Sequence, residues 1–309
     1  MATFPHNYKV TKENCVISVD GESFDVSTWR NYHPGGAESL DNFNKRDATD
    51  AFYALHSKEA IARLKRMAKK PTDMNTLINQ PTKAALAFRD FRKKMEAEGW
   101  FNRKWYMDAL YIGAVVLMSV LATMWSRSHP VIASILLGVA IEQAGWIAHD
   151  YGHGRGKACY VLNKIFGQFL LGFSSRWWSN KHNTHHVFPN RIEVDVDIHN
   201  EPFIHLWFPQ SGKDVWHRKY QHIYYPFAYA FLHVSWRMQS IEFAIGSGDW
   251  AERILIVLGY IWLATMNPIV PISAIFIGGF LVAIVVTCNH QTEEIINSDA
   301  PYCYVTDNF

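Results

Sequence analysis

Cysteine is scarce in this 309-residue sequence: Cys15, Cys159, Cys288 and Cys303 lie far apart, and no two of them form a CxxC pair. That excludes a disulfide scaffold and a thiolate zinc site, and it fits a reducing environment. Net charge is almost absent as well, at +2 with 19% charged residues, which excludes a strongly basic nucleic-acid binder. Apolar residues reach 49%, too many for a disordered or collagen-like chain. The opening stretch MATFPHNYKV lacks an apolar h-region, so no cleavable secretory signal is expected and the N-terminus is expected to stay cytosolic. Repeats and low-complexity tracts are missing too.

Two residue types are abundant: 15 histidines and 12 tryptophans. The mean hydropathy of −0.10 hides a strong segregation along the chain. Residues 1–56 carry 5 Lys/Arg against 8 Asp/Glu, and CVISVDGESFDVSTW alternates apolar and polar residues around Asp20-Gly21, a hairpin signal. Short helices are expected in AESLDNF and DATDAFYALHS. Over residues 57–104 the balance reverses to 13 Lys/Arg against 5 Asp/Glu, which reads as a linker and a basic helix on the cytoplasmic side of a membrane.

Residues 109–125 form an uncharged run of 17, and residues 131–148 a second run whose one charge is Glu142. As helices each extends about 26 Å, enough for a thin bilayer core. Residues 254–287 hold 34 uncharged residues, about 51 Å as one helix, and Pro268 and Pro271 interrupt them. Two further spans are therefore expected there. Stretches 160–173 and 223–236, the latter broken by Pro226, read as interfacial helices. Four spans in two hairpins return the chain each time to the side of the N-terminus. Ten of the 15 histidines lie between 149 and 233, and His290 follows the last span, so this topology gathers them on one face.

His149 and His153 in HDYGH are four residues apart, on one face of a helix, as a bidentate metal clamp requires. Glu142 points within about 20° of both at 100° per residue; it could orient a ligating imidazole or be paired inside the bundle. His182, His185 and His186 in HNTHH again share one helical face. His290 in TCNH joins them by topology. His199, His205, His217, His222 and His233 follow no ligand spacing and are expected to be surface or hydrogen-bonded residues, and His129 lies in the opposite turn. No HExxH is present for zinc proteolysis and no cysteine is near for an iron–sulfur cluster. Imidazole suits iron, copper and zinc, and five or more imidazoles exceed one tetrahedral ion, so a two-metal site is favoured. In a hydrocarbon setting with an attached redox module, iron and dioxygen chemistry is the coherent choice.

A second pair of histidines stands in the amino-terminal part. His33 is followed by Pro34, Gly35 and Gly36, and His56 comes 23 residues later. Glycines let a backbone pass close to a flat ring, and two histidines can approach a haem iron from opposite faces. The combination HPGG, RDAT, Phe52 and His56-Ser57 resembles the cytochrome b5 family over about residues 9–70. The resemblance implies that His33 and His56 are axial ligands of a non-covalent haem b serving electron transfer, since no CxxCH is present.

Joined to the two histidine boxes, this arrangement resembles the front-end fatty acid desaturases. It implies a mainly α chain: a small α+β cytochrome b5-like domain (1–70), a basic linker and juxtamembrane helix (71–106), and a four-span desaturase domain with cytosolic histidine-rich helices (107–309). It also implies His149, His153, His182, His185, His186 and His290 as ligands of two irons. Asp195 and Asp197 in DVDI are expected to orient ligands or to form the rim of the site. Electrons would come from NADH through cytochrome b5 reductase. A cis double bond would be placed in a polyunsaturated acyl-CoA or acyl-phospholipid, at a delta-5 or delta-6 type position, in the endoplasmic-reticulum membrane. The family also carries a QxxHH box after the fourth span; the sequence to Phe309 contains none, so residues 1–309 alone are expected to bind haem without desaturating. A sphingolipid desaturase, a lipid hydroxylase and an inactive membrane haem protein remain as alternatives.

Overall fold

The structure is a computed structural model that describes residues 14–33, 37–154, 156–192, 194–207, 212, 214–290, 294–297 and 301–308. Strands β1 (Val16–Val19) and β2 (Glu22–Asp25) are followed by helices α1 (Ala37–Asn42), α2 (Thr49–Leu55) and α3 (Lys58–Leu64), then strand β3 (Lys69–Pro71). Helices α4 (Lys83–Ala97), α5 (Trp105–Trp125), α6 (Pro130–His153) and α7 (Lys157–Asn163) lead into a π-helical segment, Lys164–Leu171. The chain continues with α8 (Ser175–Val187), α9 (Gln221–Gly246), α10 (Trp250–Ala264), α11 (Ile269–His290) and α12 (Tyr304–Asn308).

These elements form two compact units. The first comprises Met1–Arg103, Asn180–His199 and Ile295–Phe309. Its sheet has the order β1-β2-β3, antiparallel throughout, with Val19 opposite Glu22 and Glu22 opposite Pro71. Asp20 and Gly21 both take positive φ (53° and 74°), the two-residue turn whose twist suits a hairpin, as the Asp-Gly signal predicts. Ile17, Val19, Phe24, Val26, Leu40 and Phe43 are buried in its core, and Val187, Phe188 and Tyr302 join the same cluster. Ser57 and Thr82 cap α3 and α4, accepting from the amides of Ala60 and Ala85. The basic helix α4 is fastened to this unit: Arg89 donates to Asp50 through Nε (3.0 Å) and Nη2 (2.7 Å), and to Asp47 at 2.7 Å. Burial works against the Arg89 charge, but the two carboxylates outweigh it and hold its pKa above the ordinary arginine range.

The second unit comprises Lys104–Ser179 and Asn200–Glu294. Three of its helices are long and apolar enough to cross a membrane: Trp105–Trp125, Pro130–His153 and Ile269–Asn289. Half of the apolar window of α6 is buried, against 17% for α5 and 28% for α11, so α6 is the central helix of this unit. The break expected near Pro268 is present between α10 and α11. Among the described residues the fourth expected span is not found as a membrane-length helix, because α10 has only 15 residues, about 22 Å of helix. Pro226 does not break the stretch 223–236 as expected; it lies in the second turn of a 26-residue helix, where it removes only one backbone bond. The stretch 160–173 divides into α7 and the π-helical segment. Glu252, fully buried at the start of α10, accepts from Gln168 Nε2 (3.1 Å) and Ser174 Oγ (2.7 Å), which ties α10 to the π-helical segment.

Candidate metal-binding sites

His33 and His56 face one another in the first unit. Their Nε2 atoms are 3.5 Å apart and their rings are inclined by 28°. His56 ends α2, and its Nδ1 lies 3.1 Å from the Phe52 carbonyl oxygen, an acceptor only, so Nδ1 carries the proton and Nε2 is left with a lone pair. His33 Nδ1 lies 3.2 Å from Ser39 Oγ, which can fix the same tautomer. Phe52 also stacks on His56, with ring centres 4.5 Å apart. Two iron–imidazole bonds of about 2 Å need the nitrogens about 4 Å apart, so this pair fits axial haem ligation with a small opening. Pro34, Gly35 and Gly36 lie outside the described residues. Sequence reasoning did not single out Ser39 or the Phe52 carbonyl, since neither has a motif of its own.

The second box lies on α8, where HNTHH forms helical turns as its spacing predicts. His182 and His185 are buried. Their Nδ1 atoms are each met by a carboxylate from the loop that follows. His182 Nδ1 lies 3.0 Å from Asp197 Oδ2, and His185 Nδ1 lies 2.7 Å from Asp195 Oδ2. Such carboxylates hold the proton on Nδ1 and turn Nε2 toward a metal. The Nε2 atoms of His182 and His186 are 2.9 Å apart. Two metal–imidazole bonds of about 2.1 Å meeting near a right angle set their nitrogens about 3 Å apart, so the donor set fits an ion. His185, Asp195 and Asp197 also form a group whose ligand atoms lie within 4.8 Å of one another.

Asp195 is fully buried and organises the loop as well as His185: its carboxylate accepts from the Asn190 amide (2.8 Å) and the Asp197 amide (2.9 Å). Asn190 takes positive φ (58°), a conformation asparagine tolerates, which turns the chain back toward α8. Lys181, also unforeseen from sequence, is buried and paired with Asp197. Burial pushes its ammonium down to about 8, against the opposing pull of Asp195.

The first box ends α6 in the second unit. His149 and His153 are on one helical face with ring centres 4.6 Å apart, and His149 Nδ1 lies 3.0 Å from Asp150 Oδ1. Glu142 is buried and accepts from Gln143 Nε2 (2.8 Å) and from Trp146 Nε1; the Trp146 ring meets His149 edge-on at 6.0 Å. His290 is the last residue of α11, and its side chain lies outside the described residues. Of the histidines without ligand spacing, four meet backbone carbonyls: His199 that of Ile192, His205 and His217 that of Pro202, and His233 that of Ile275.

Bis-imidazole pairing in a small α+β unit, histidine boxes with carboxylate partners and three membrane-length helices define a membrane oxidoreductase with an attached haem-type module. Comparison with known proteins agrees. Residues 5–116 match the cytochrome b5-like heme/steroid binding domain, and residues 126–302 match the fatty acid desaturase family. The chain belongs to the fatty acid desaturase family. It is similar to a Delta(8)-fatty-acid desaturase of Euglena gracilis, 32% identical over 307 residues, covering 86% of this chain and 71% of that protein. An acyl-lipid 8-desaturase of Rebecca salina is 28% identical over 309 residues, covering 92% and 71%. The Delta(5) fatty acid desaturase fat-4 of Caenorhabditis elegans is 27% identical over 340 residues, covering 90% and 74%. No solved structure matches the chain.

Proposed function

We propose that this desaturase acts at a front-end position of polyunsaturated acyl chains, as acyl-CoA or acyl-phospholipid, with electrons passed from cytochrome b5 reductase through the attached haem module. His33 and His56 would hold haem b. His149, His153, His182, His185, His186 and His290 would supply imidazoles to two irons, with Asp195 and Asp197 orienting the second box and Glu142 supporting the first. When bound, these groups would supply single electrons and use dioxygen to remove two hydrogens from neighbouring methylenes, leaving a cis double bond and water. The protein's own residues do the positioning. Asp195 and Asp197 hold protons on the Nδ1 atoms of His185 and His182, which keeps Nε2 basic without a net proton change. The observation that carries the reading is this pair of carboxylate–imidazole contacts at 2.7 and 3.0 Å directly after a box of three histidines.

The same reading divides the chain into a haem-binding part (1–70), a basic linker and juxtamembrane helix (71–106) and a membrane part (107–309), in the endoplasmic-reticulum membrane with all boxes cytosolic. It has four crossings, α10 being the short one. Ile254, Val257, Leu258 and Ile261 of α10 are exposed large apolar side chains, as a lipid-facing helix requires. The 13-to-5 basic excess over 57–104 supports the orientation.

Yeast expressing the chain, alone and extended by a family-type segment carrying QxxHH, and fed polyunsaturated acids, provides the test. Mass spectrometry of the acyl chains is expected to show a loss of two hydrogens and a double bond on the carboxyl side of an existing one. A gain of one oxygen, or no product from either chain while the haem band is intact, would overturn the reading.

A further inference from the structure

The haem-ligand module has a seat inside this chain. Phe43 lies in the module, between the two axial histidines in sequence. Its ring centre is 5.3 Å from that of Phe188 and 5.7 Å from that of Tyr302, and Phe188 and Tyr302 are 4.7 Å apart. All three side chains are buried, with 6%, 4% and 4% exposure. Phe188 stands two residues after His186, at the exit of the second box, and Tyr302 lies just before α12. Three stretches of chain far apart in sequence thus close one aromatic cluster.

Polar contacts fasten the same place. The Tyr302 hydroxyl donates to the Val187 carbonyl at 3.1 Å. The guanidinium groups of Arg46, from the module, and Arg191, from the box-two exit, lie 5.8 and 5.4 Å from the Tyr302 ring centre. Arg191 is neutralised by Asp307 of α12 at 2.9 Å and also donates to the Pro301 carbonyl at 2.9 Å. Burial and the neighbouring Arg191 charge both push the Arg46 pKa down. Arg191 is buried and Arg46 half-buried, and two like charges this close to one ring are tolerable only with Asp307 present, so Asp307 belongs to the seat. Backbone pairing adds to it: the Ile192 amide donates to the Ile296 carbonyl (3.1 Å) and the Ile296 amide to the Asn190 carbonyl (2.8 Å).

We propose that the exit of the second histidine box and the 301–308 segment form a fixed docking surface for this chain's own haem module, so that the module is held in place. A carrier swinging on a tether would need a polar, separable face there. Here the module's core residue Phe43 is covered by side chains from outside the module, and separation would expose it. The proposal rests on the haem reading only for the word haem; the docking surface is defined by contacts that need no cofactor.

A single pair of atoms makes it testable in the full chain. Thr82 Oγ1 caps α4, the helix that Arg89 fastens to Asp47 and Asp50 of the module, and lies 3.4 Å from the Sγ of Cys303 in the docked segment. Thr82→Cys therefore places two sulfurs within bonding reach. On mild thiol oxidation of dilute protein, with the electrons going to an added disulfide, a bond from the introduced thiol to Cys303 is expected to form about 10³-fold faster than any intermolecular one. It is read as joined peptides by mass spectrometry, with Thr82→Cys/Cys303→Ser as the control. Adding Arg191→Gln or Asp307→Asn, or the pair Phe188→Ala/Tyr302→Ala, is expected to slow the bond at least about tenfold while the haem band stays. Absence of the bond although both thiols react after unfolding overturns the docking. A bond unaffected by all these variants overturns the assignment of these residues. Loss of the haem band in every variant, with the bond unchanged, also overturns it. The haem reading fails separately, when Thr82→Cys alone shows the bond but neither it nor the unmodified chain shows a haem band.

Discussion

Replacing Asp195 by asparagine changes one atom and keeps the volume, which makes it the most informative perturbation of the second box. The native carboxylate accepts three N–H groups: His185 Nδ1 at 2.7 Å and the Asn190 amide at 2.8 Å on Oδ2, and the Asp197 amide at 2.9 Å on Oδ1. An asparagine amide has one acceptor oxygen. With that oxygen toward His185 and Asn190, its NH2 faces the Asp197 N–H; turned the other way, it faces two donors. Either orientation leaves at least one donor unsatisfied in a fully buried place, at a cost of about 1–3 kcal/mol. The lost negative charge also makes the His185 imidazole less basic. Removing such a partner reduces metal affinity about 10- to 100-fold, roughly 1.4–2.7 kcal/mol. Retained iron after dialysis against a graded chelator, paired with thermal unfolding of the metal-free chain, separates the two effects. Asp195→Asn is expected to lower both, whereas Asn190→Gly, which keeps the left-handed turn and the amide donor, is expected to leave iron retention near the parent value. Unchanged iron retention in Asp195→Asn alongside a lower unfolding temperature would refute the ligand-orienting role and leave Asp195 a loop residue only.

Four further outcomes are expected. His33→Ala or His56→Ala should abolish the six-coordinate haem spectrum of the full chain, while Ser39→Ala should keep it; a normal spectrum in either histidine variant would sink the axial pair. His233 is 2% exposed, and burial together with Arg237 pushes its pKa down to about 3, so it folds neutral. The unfolded chain then binds the extra proton below about pH 6.5, and stability is present above that pH and lost as pH falls toward 3; this group alone removes about 1.4 kcal/mol between pH 7.5 and 5.5. His233→Gln should flatten that part of the stability profile, and an unchanged acid slope would count against the burial argument. A Cβ added at Gly259 would run into the backbone carbonyl of Phe169, so Gly259→Ala should lower the unfolding temperature clearly more than Gly113→Ala, which meets nothing. A glycosylation tag beside His129 should be modified and one beside Asn200 should not; the reverse pattern would contradict the proposed orientation.

What was legible in the sequence is what local periodicity and turn chemistry encode. Asp20-Gly21 marks a hairpin because few other pairs accept two successive positive φ angles, and the strands form on either side of it. The box helices follow from i,i+3 and i,i+4 spacing, and the break at Pro268 from a ring that cannot continue a helix. The length of α10 was not legible, because hydropathy counts residues without saying where a helix begins to cross. Asp249 caps that helix and Glu252 is drawn into a buried bond with Ser174, which fixes the start at Trp250 and leaves a helix of 15 residues. The Asp195 and Asp197 contacts could be guessed from a resemblance, but their pairing with His185 and His182 depends on the left-handed turn at Asn190, which has no periodic signature.

The docking surface shows most plainly why some features escape a linear reading. Arg191 and Asp307 are 116 residues apart, and Phe43 and Tyr302 are farther still, so no window of sequence contains both partners. Each residue alone has an ordinary explanation: a core aromatic, a surface arginine, a carboxylate in a short helix. Their joint burial changes the accounting. A buried arginine beside a second arginine is unfavourable unless a carboxylate and an aromatic face are supplied together, and breaking such a pair by removing one partner costs about 3–5 kcal/mol. Asp307→Asn should therefore destabilise the first unit by several times the roughly 0–1 kcal/mol of an exposed pair such as Lys94–Glu98. Arg191→Leu/Asp307→Leu should recover much of that loss, since an apolar replacement of both charges leaves neither uncompensated. Thermal unfolding of the three variants checks the ordering. A double variant no more stable than Asp307→Asn would mean that the charges act by specific hydrogen bonding to the Pro301 carbonyl and not by mutual neutralisation.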